Sequence, residues 1–134
     1  WVELIKLLQK ENYTPILLGG EQENERNTKL SQLTGAEYKG YFPLYQFTSL
    51  MNECDIVVTA VTIALHLEIG LKKQVILMNN IFNPNEFELY GRGKILGPKN
   101  ECKCYFSPTC KNQNEYFCLD SLTPIMILDA IRQL

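Results

Sequence analysis

The chain has 134 residues. That length predicts one domain, burying roughly two-thirds of the surface that the unfolded chain exposes. With 46% hydrophobic and 21% charged residues the composition excludes disordered and fibrous architectures. Thirteen Lys and Arg against 15 Asp and Glu give a net charge of -2, which speaks against a nucleic-acid partner. No apolar stretch reaches the roughly 18 residues of a membrane span; the longest candidate, Ile56 to Leu67, is broken by Thr59, Thr62 and His66. The sequence opens at Trp1 on an amphipathic segment carrying Glu3 and Lys6, so it reads as a piece of a longer protein without a signal peptide.

Trp1 to Gln9 places Val2, Leu4, Ile5, Leu7 and Leu8 on one broad face at helical spacing. Asn12 to Pro15 breaks that pattern. Ile16-Leu17-Leu18, bounded by Pro15 and Gly19-Gly20, predicts a short strand buried on both faces. Glu21 to Leu33 predicts a solvent-facing helix anchored by Leu30 and Leu33 and stopped by Gly35. A short strand is expected within Ala36 to Tyr41, then a helix over Leu44 to Cys54 with Leu44, Phe47, Leu50 and Met51 inward.

Asp55-Ile56-Val57-Val58 is a strand signal, Thr62 to Leu71 a helix with Ile63, Leu67 and Gly70 spaced for packing, and Gln74 to Met78 a buried-type strand. This alternation predicts an α/β fold: a Rossmann-like parallel sheet with helices on both faces. After Asn79 the pattern weakens into a long loop with Pro84, Gly91, Gly93, Gly97 and Pro98, and Leu122 to Leu134 reads as a closing helix.

Open parallel sheets bind ligands where strand ends lead into helix N-termini. Two such junctions stand out. At Gly19-Gly20-Glu21 the glycines permit close backbone approach and the carboxylate can accept hydrogen bonds from a ribose diol; the same triplet also suits a plain tight turn. At Thr59 to His66, Thr62 is placed to cap a helix whose first turn lacks an acid. The amides of Ile63, Ala64 and Leu65 are then expected to favour a diphosphate. His66, the single histidine, falls one turn after Thr62, either beside a ligand or as a core residue between Leu65 and Leu67. Arg92, between two glycines, is expected near the sheet's carboxyl edge as a phosphate contact, Lys72-Lys73 as a helix C-terminal cap, and Asn79-Asn80 as a sugar contact or a turn cap.

The order ILLGGEQENE, then Phe42-Pro43-Leu44, then DIVVTAVTIALHLEIGLKKQV, with NPNEFELYGRG at 83–93, resembles the C-terminal domain of glycosyltransferase family 9, which includes the ADP-heptose:lipopolysaccharide heptosyltransferases. The resemblance implies the C-terminal half of a GT-B enzyme, with residues 1–134 forming the nucleotide-sugar-binding domain and an N-terminal acceptor domain absent from this chain. It implies that Gly19, Gly20 and Glu21 hold the ribose, that Phe42 lies beside the base, and that Thr62, Ile63 and Ala64 hold the donor diphosphate with His66 close by. The general base is expected in the N-terminal domain, so this piece alone is expected to bind donor weakly and turn nothing over. Also implied are an ADP-linked donor, a lipopolysaccharide or other surface glycan acceptor, and a cytoplasmic place with room for peripheral contact with the inner membrane. No metal or cofactor is expected; the absence of a D-x-D motif agrees with transfer assisted by amides and a helix dipole.

The chain departs from that family where Val61 and Ile63 replace its usual Asp and Gly, which leaves open a non-catalytic nucleotide-binding or interaction module of the same fold. An unrelated doubly wound domain is a third reading, against which stands the absence of G-x-G-x-x-G after the first strand. The cysteines at 102, 104, 110 and 118 lie in a cysteine-rich loop expected at 98–120, either as reduced, packed thiols that stiffen it, as disulfides, or around a metal; C-x-C makes a poor first zinc knuckle.

Overall fold

In the computed structural model, residues 1–98, 104, 107, 109–111 and 117–134 are described. They divide into two compact units, Trp1–Cys54 and Asp55–Leu134.

The first unit opens with α1 (Val2–Lys10), which buries Leu4 and Ile5. It packs against α2 (Asn24–Thr34), where Gln9 Nε2 donates to the Thr34 carbonyl at 2.9 Å. α2 is preceded by a 3₁₀ turn, Glu21–Glu23, and ends at Gly35 with φ of 73°. Its buried residue is Asn27, and Leu33, expected as an anchor, is exposed. Asn27 Nδ2 donates to the Leu18 carbonyl at 3.2 Å, which ties the helix to the preceding loop. α3 (Leu44–Glu53) follows Pro43 and buries Met51, with Leu44 exposed.

The two strands expected at 16–18 and 36–41 reduce to a single parallel bridge between Ile16 and Glu37, in which Leu17 N donates to Glu37 O at 2.8 Å and Glu37 N to Pro15 O at 3.1 Å. Pro15 offers no N–H, two glycines follow Leu18, and Gly40 has φ of 97°, so neither segment can extend its ladder.

The second unit contains a three-stranded parallel sheet in the order β1 (Ile56–Ala60), β2 (Gln74–Met78) and β3 (Gly93–Leu96). Register pairs Thr59 with Leu77 and Leu77 with Ile95, so these three share one face with Val75. On that face α4 (Ile63–Gly70) contributes Leu65 and Ile69 to a cluster with Val75, Leu77, Leu89, Phe87 and Ile95. The opposite face carries Gln74, Ile76 and Lys94. There the chain just past α6 (Pro124–Arg132) is met by Lys94 Nζ, which donates to Gln133 Oε1, and by Gln74 Nε2, which reaches the Leu134 carbonyl at 3.4 Å. Helices thus cover both faces, the α/β arrangement predicted.

β3 is a strand in what the sequence presents as loop. Gly93 is required there, because a Cβ would collide with the Val75 carbonyl and separate the two strands. The closing helix begins at Pro124 rather than Leu122, with Thr123 Oγ1 accepting from Met126 N at 3.3 Å, a cap followed by proline at the first helical position. α5 (Phe117–Asp120) is one turn long. Cys102 and most of the loop expected at 98–120 lie outside the described residues.

Candidate functional site

β1 ends at Ala60, and only Val61 and Thr62 separate it from α4, so the carboxyl end of β1 feeds directly into a helix N-terminus. Thr62 is the N-cap: extended at φ -140°, ψ 180°, its Oγ1 accepts from Ala64 N at 3.2 Å. Its carbonyl accepts from Leu65 N at 3.1 Å. Two of the three amides expected to be open are therefore used internally, and that of Ile63 is the one left without a hydrogen bond among the described residues. Capping consumes donors, so a threonine placed to cap the helix cannot leave all three amides open.

Thr59, the buried polar residue of β1, extends the cap inward. Its Oγ1 lies 3.3 Å from Thr62 Oγ1 and donates to the Ala60 carbonyl at 3.1 Å. With the one Thr59 proton so engaged, Thr62 donates to Thr59 while accepting from Ala64. The order runs from helix amide through two hydroxyls to a strand carbonyl. In the sequence the signal for this contact is the one hydroxyl amid Ile, Val and Ala, which also interrupts the apolar run.

The first turn of α4 holds no acidic residue, so the positive end of the helix dipole is not neutralised by its own side chains. Ile63 is 59% exposed. His66 is exposed too, one turn from Thr62, which rules out the core reading of this histidine. Of the residues predicted to pack, Ile63 and Gly70 are exposed and Leu67 is half-buried; the buried residues of the helix are Leu65 and Glu68, with Ile69 packed on the core cluster.

Glu68 is the unexpected member. Its side chain is fully buried, and among the described residues neither carboxylate oxygen has a hydrogen-bond partner. Burial alone pushes its pKa up to about 8, so the carboxyl is largely protonated at neutral pH.

Asn79, directly after β2, is buried and closes its own turn: its Nδ2 donates to the Phe82 carbonyl at 2.7 Å and its Oδ1 accepts from Phe82 N at 3.2 Å. Both polar ends are spent, so Asn79 is the turn cap. Arg92 does not lie at the carboxyl edge. It immediately precedes β3, its carbonyl accepting from Val75 N at 2.9 Å, and so sits at the amino end of the sheet. There its Nη2 reaches the Ile69 carbonyl at 3.5 Å near the C-terminus of α4, and its guanidinium stacks 5.3 Å from the Tyr90 ring centre. The correction follows from β3, which sequence analysis missed.

In the first unit, Gly19 is needed for packing, since a Cβ would stand 2.7 Å from Glu23 Cβ and 2.9 Å from Asn27 Nδ2. Gly20 N donates to Glu23 Oε2 at 2.9 Å, so Glu23 is the carboxylate that caps this turn. Glu21 projects into solvent with its acceptor oxygens exposed. Phe42 is half-buried just before Pro43. Among the described residues no three His, Cys, Asp or Glu side chains group to hold a metal ion, and no helix is long and apolar enough to cross a membrane.

No protein-family model and no curated protein matches the chain by sequence. By structure it is similar to E. coli ADP-heptose LPS heptosyltransferase II, with a TM-score of 0.76 and 17% identity over 98% of this chain and 39% of that one. The chain therefore spans about two-fifths of that protein's length. Its fold is the heptosyltransferase fold that the sequence resembles, carried here by a parallel sheet whose first strand delivers a threonine-capped helix N-terminus.

Proposed function

We propose that this chain is the sugar-nucleotide-binding part of a glycosyltransferase, using a nucleotide-diphosphate donor and a lipopolysaccharide-type or other surface glycan acceptor, with an ADP-linked, heptose-like sugar favoured. The observation that carries this reading is the acid-free N-terminus of α4 at the carboxyl end of β1, with the Ile63 amide open and Thr62 and His66 exposed around it. An amide and an aligned helix dipole stabilise negative charge, and the charge that grows on a leaving nucleoside diphosphate is of that kind. In this reading the Ile63 amide and the Thr62 hydroxyl hold the diphosphate, Ala64 contributes through the helix dipole with its amide spent on the cap, and His66 neighbours the group. Glu21 supplies acceptors suited to a ribose diol, Gly19 and Gly20 shape the turn before it, and Phe42 offers an apolar surface to a base. The acceptor site and the general base belong to the larger enzyme, of which the structurally similar protein shows more than twice this length.

A second reading is favoured by Val61. Its side chain packs on the cluster of Leu65, Val75, Leu77 and Leu89, so the position that carries an Asp in the resembled family makes an apolar core contact here. That suits a nucleotide-binding module without transfer activity. Thermal denaturation with ADP, UDP, GDP and CMP at millimolar concentration tests the proposal, because a ligand of the folded state raises the midpoint by mass action. A shift with ADP alone supports an ADP-linked donor and a shift with UDP alone moves the donor to another sugar. No shift with any of the four overturns both nucleotide readings.

A further inference from the structure

We infer that Cys110 is a thiol–disulfide modification site and that Cys104 resolves it into an intramolecular disulfide. Cys104 and Cys118 are buried, 4% and 3% exposed, and pack together, while half-buried Cys110 and Ile81 pack against them. No disulfide joins these three cysteines. The backbone N–H of Lys111 donates to Cys104 Sγ at 3.1 Å. Because residue 111 follows Cys110 directly, this bond brings the Cys110 Cα within about 5.5 Å of that sulfur by bond lengths alone. The two side chains already pack in one cluster, so a disulfide between them asks the sulfurs to close to bonding distance from within contact range.

The accessible thiol reacts first. The Cys110 thiolate attacks a small disulfide such as oxidised glutathione; its S–S bond breaks, a mixed disulfide forms on Cys110, and one glutathione thiol leaves. The Cys104 thiolate then attacks the Cys110 sulfur and expels the second glutathione thiol. Two protein thiols are oxidised, one small disulfide is reduced to two thiols, and the protons of the cysteines pass to the leaving thiolates.

Peptide mass mapping of the whole chain, alkylated after exposure to oxidised glutathione, tests this. The expected product is a Cys104–Cys110 bridge with loss of two titratable thiols per chain. C104S should retain glutathione on Cys110, and C110S, altered at the half-buried position and so the safer variant to fold, should show neither bridge nor adduct there. A bridge through Cys54, Cys102 or Cys118, the absence of any bridge, or one equivalent of zinc co-purifying on these thiols would overturn the assignment.

Discussion

The hydroxyls of Thr59 and Thr62 lie 3.3 Å apart, one on the penultimate residue of β1 and the other on the cap of the following helix. This contact fixes the cap's rotamer from the sheet side, so the open amide of Ile63 is held by a hydrogen-bonded chain rather than by a loose loop. A diphosphate that takes a hydrogen bond from Thr62 must draw its proton away from Thr59.

Replacing Thr62 by Ala removes the acceptor for Ala64 N. The expected loss of stability is about 1 kcal/mol, the ordinary cost of an N-cap threonine. On the proposed reading, ADP affinity falls about tenfold besides, through the lost hydroxyl and a looser first turn. Chemical denaturation and calorimetric titration measure the two separately. Normal ADP affinity in a destabilised T62A protein would leave Thr62 a purely structural cap.

Ile63→Asp separates stability from binding more sharply. An aspartate in the first turn of α4 complements the helix dipole, so at an exposed position it should raise stability by a few tenths of a kcal/mol. The same charge repels a diphosphate approaching that turn, and nucleotide affinity should fall at least tenfold at low salt, less at high salt. Two opposite signs are expected from one substitution. Weakened folding together with unchanged nucleotide affinity would contradict the placement.

His66 is exposed and adjacent to fully buried Leu65, so His66→Ala should leave the denaturation midpoint within about 0.5 kcal/mol of the parent. If the histidine borders the donor, titration of the variant with ADP should still show a several-fold loss. Equal affinity in the two proteins would reduce His66 to a surface residue.

How far the sequence disclosed this site depends on which forces are local. β1, α4 and β2 are legible because continuous apolar runs and a threonine before a helix depend on near neighbours. β3 is not, because four residues flanked by glycines carry no period, and Gly93 is chosen by the Val75 carbonyl on another strand. The strand at 16–18 is overread for the converse reason: apolar composition is present, yet Pro15 and Gly19-Gly20 deny it a ladder. Which amides the cap consumes is a matter of hydrogen-bond counting that spacing does not show. The inner face of α4 is misassigned because a glutamate is normally placed in water, whereas here Glu68 faces inward and Ile63 outward.

Glu68 gives the stability curve a definite sign. Its folded-state pKa is raised to about 8, whereas the unfolded chain has an ordinary carboxyl near 4.5. The folded state therefore binds more protons, and stability must fall as pH rises between those values: the carboxyl's contribution is intact below about pH 4.5, declines through neutrality, and levels off above about pH 8. Allowing for relaxation around the charge, the fall should be on the order of 3 kcal/mol. Glu68→Gln keeps the shape and removes the titration, so E68Q should be about as stable as the parent at pH 5 and distinctly more stable at pH 8.5. Denaturant midpoints for both proteins across that range check the claim. Parallel curves for parent and E68Q would overturn the claim and point to a cation that pairs with the ionised carboxyl; Arg92 reaches the Ile69 carbonyl next in the chain, and its Nε is buried without a partner among the described residues.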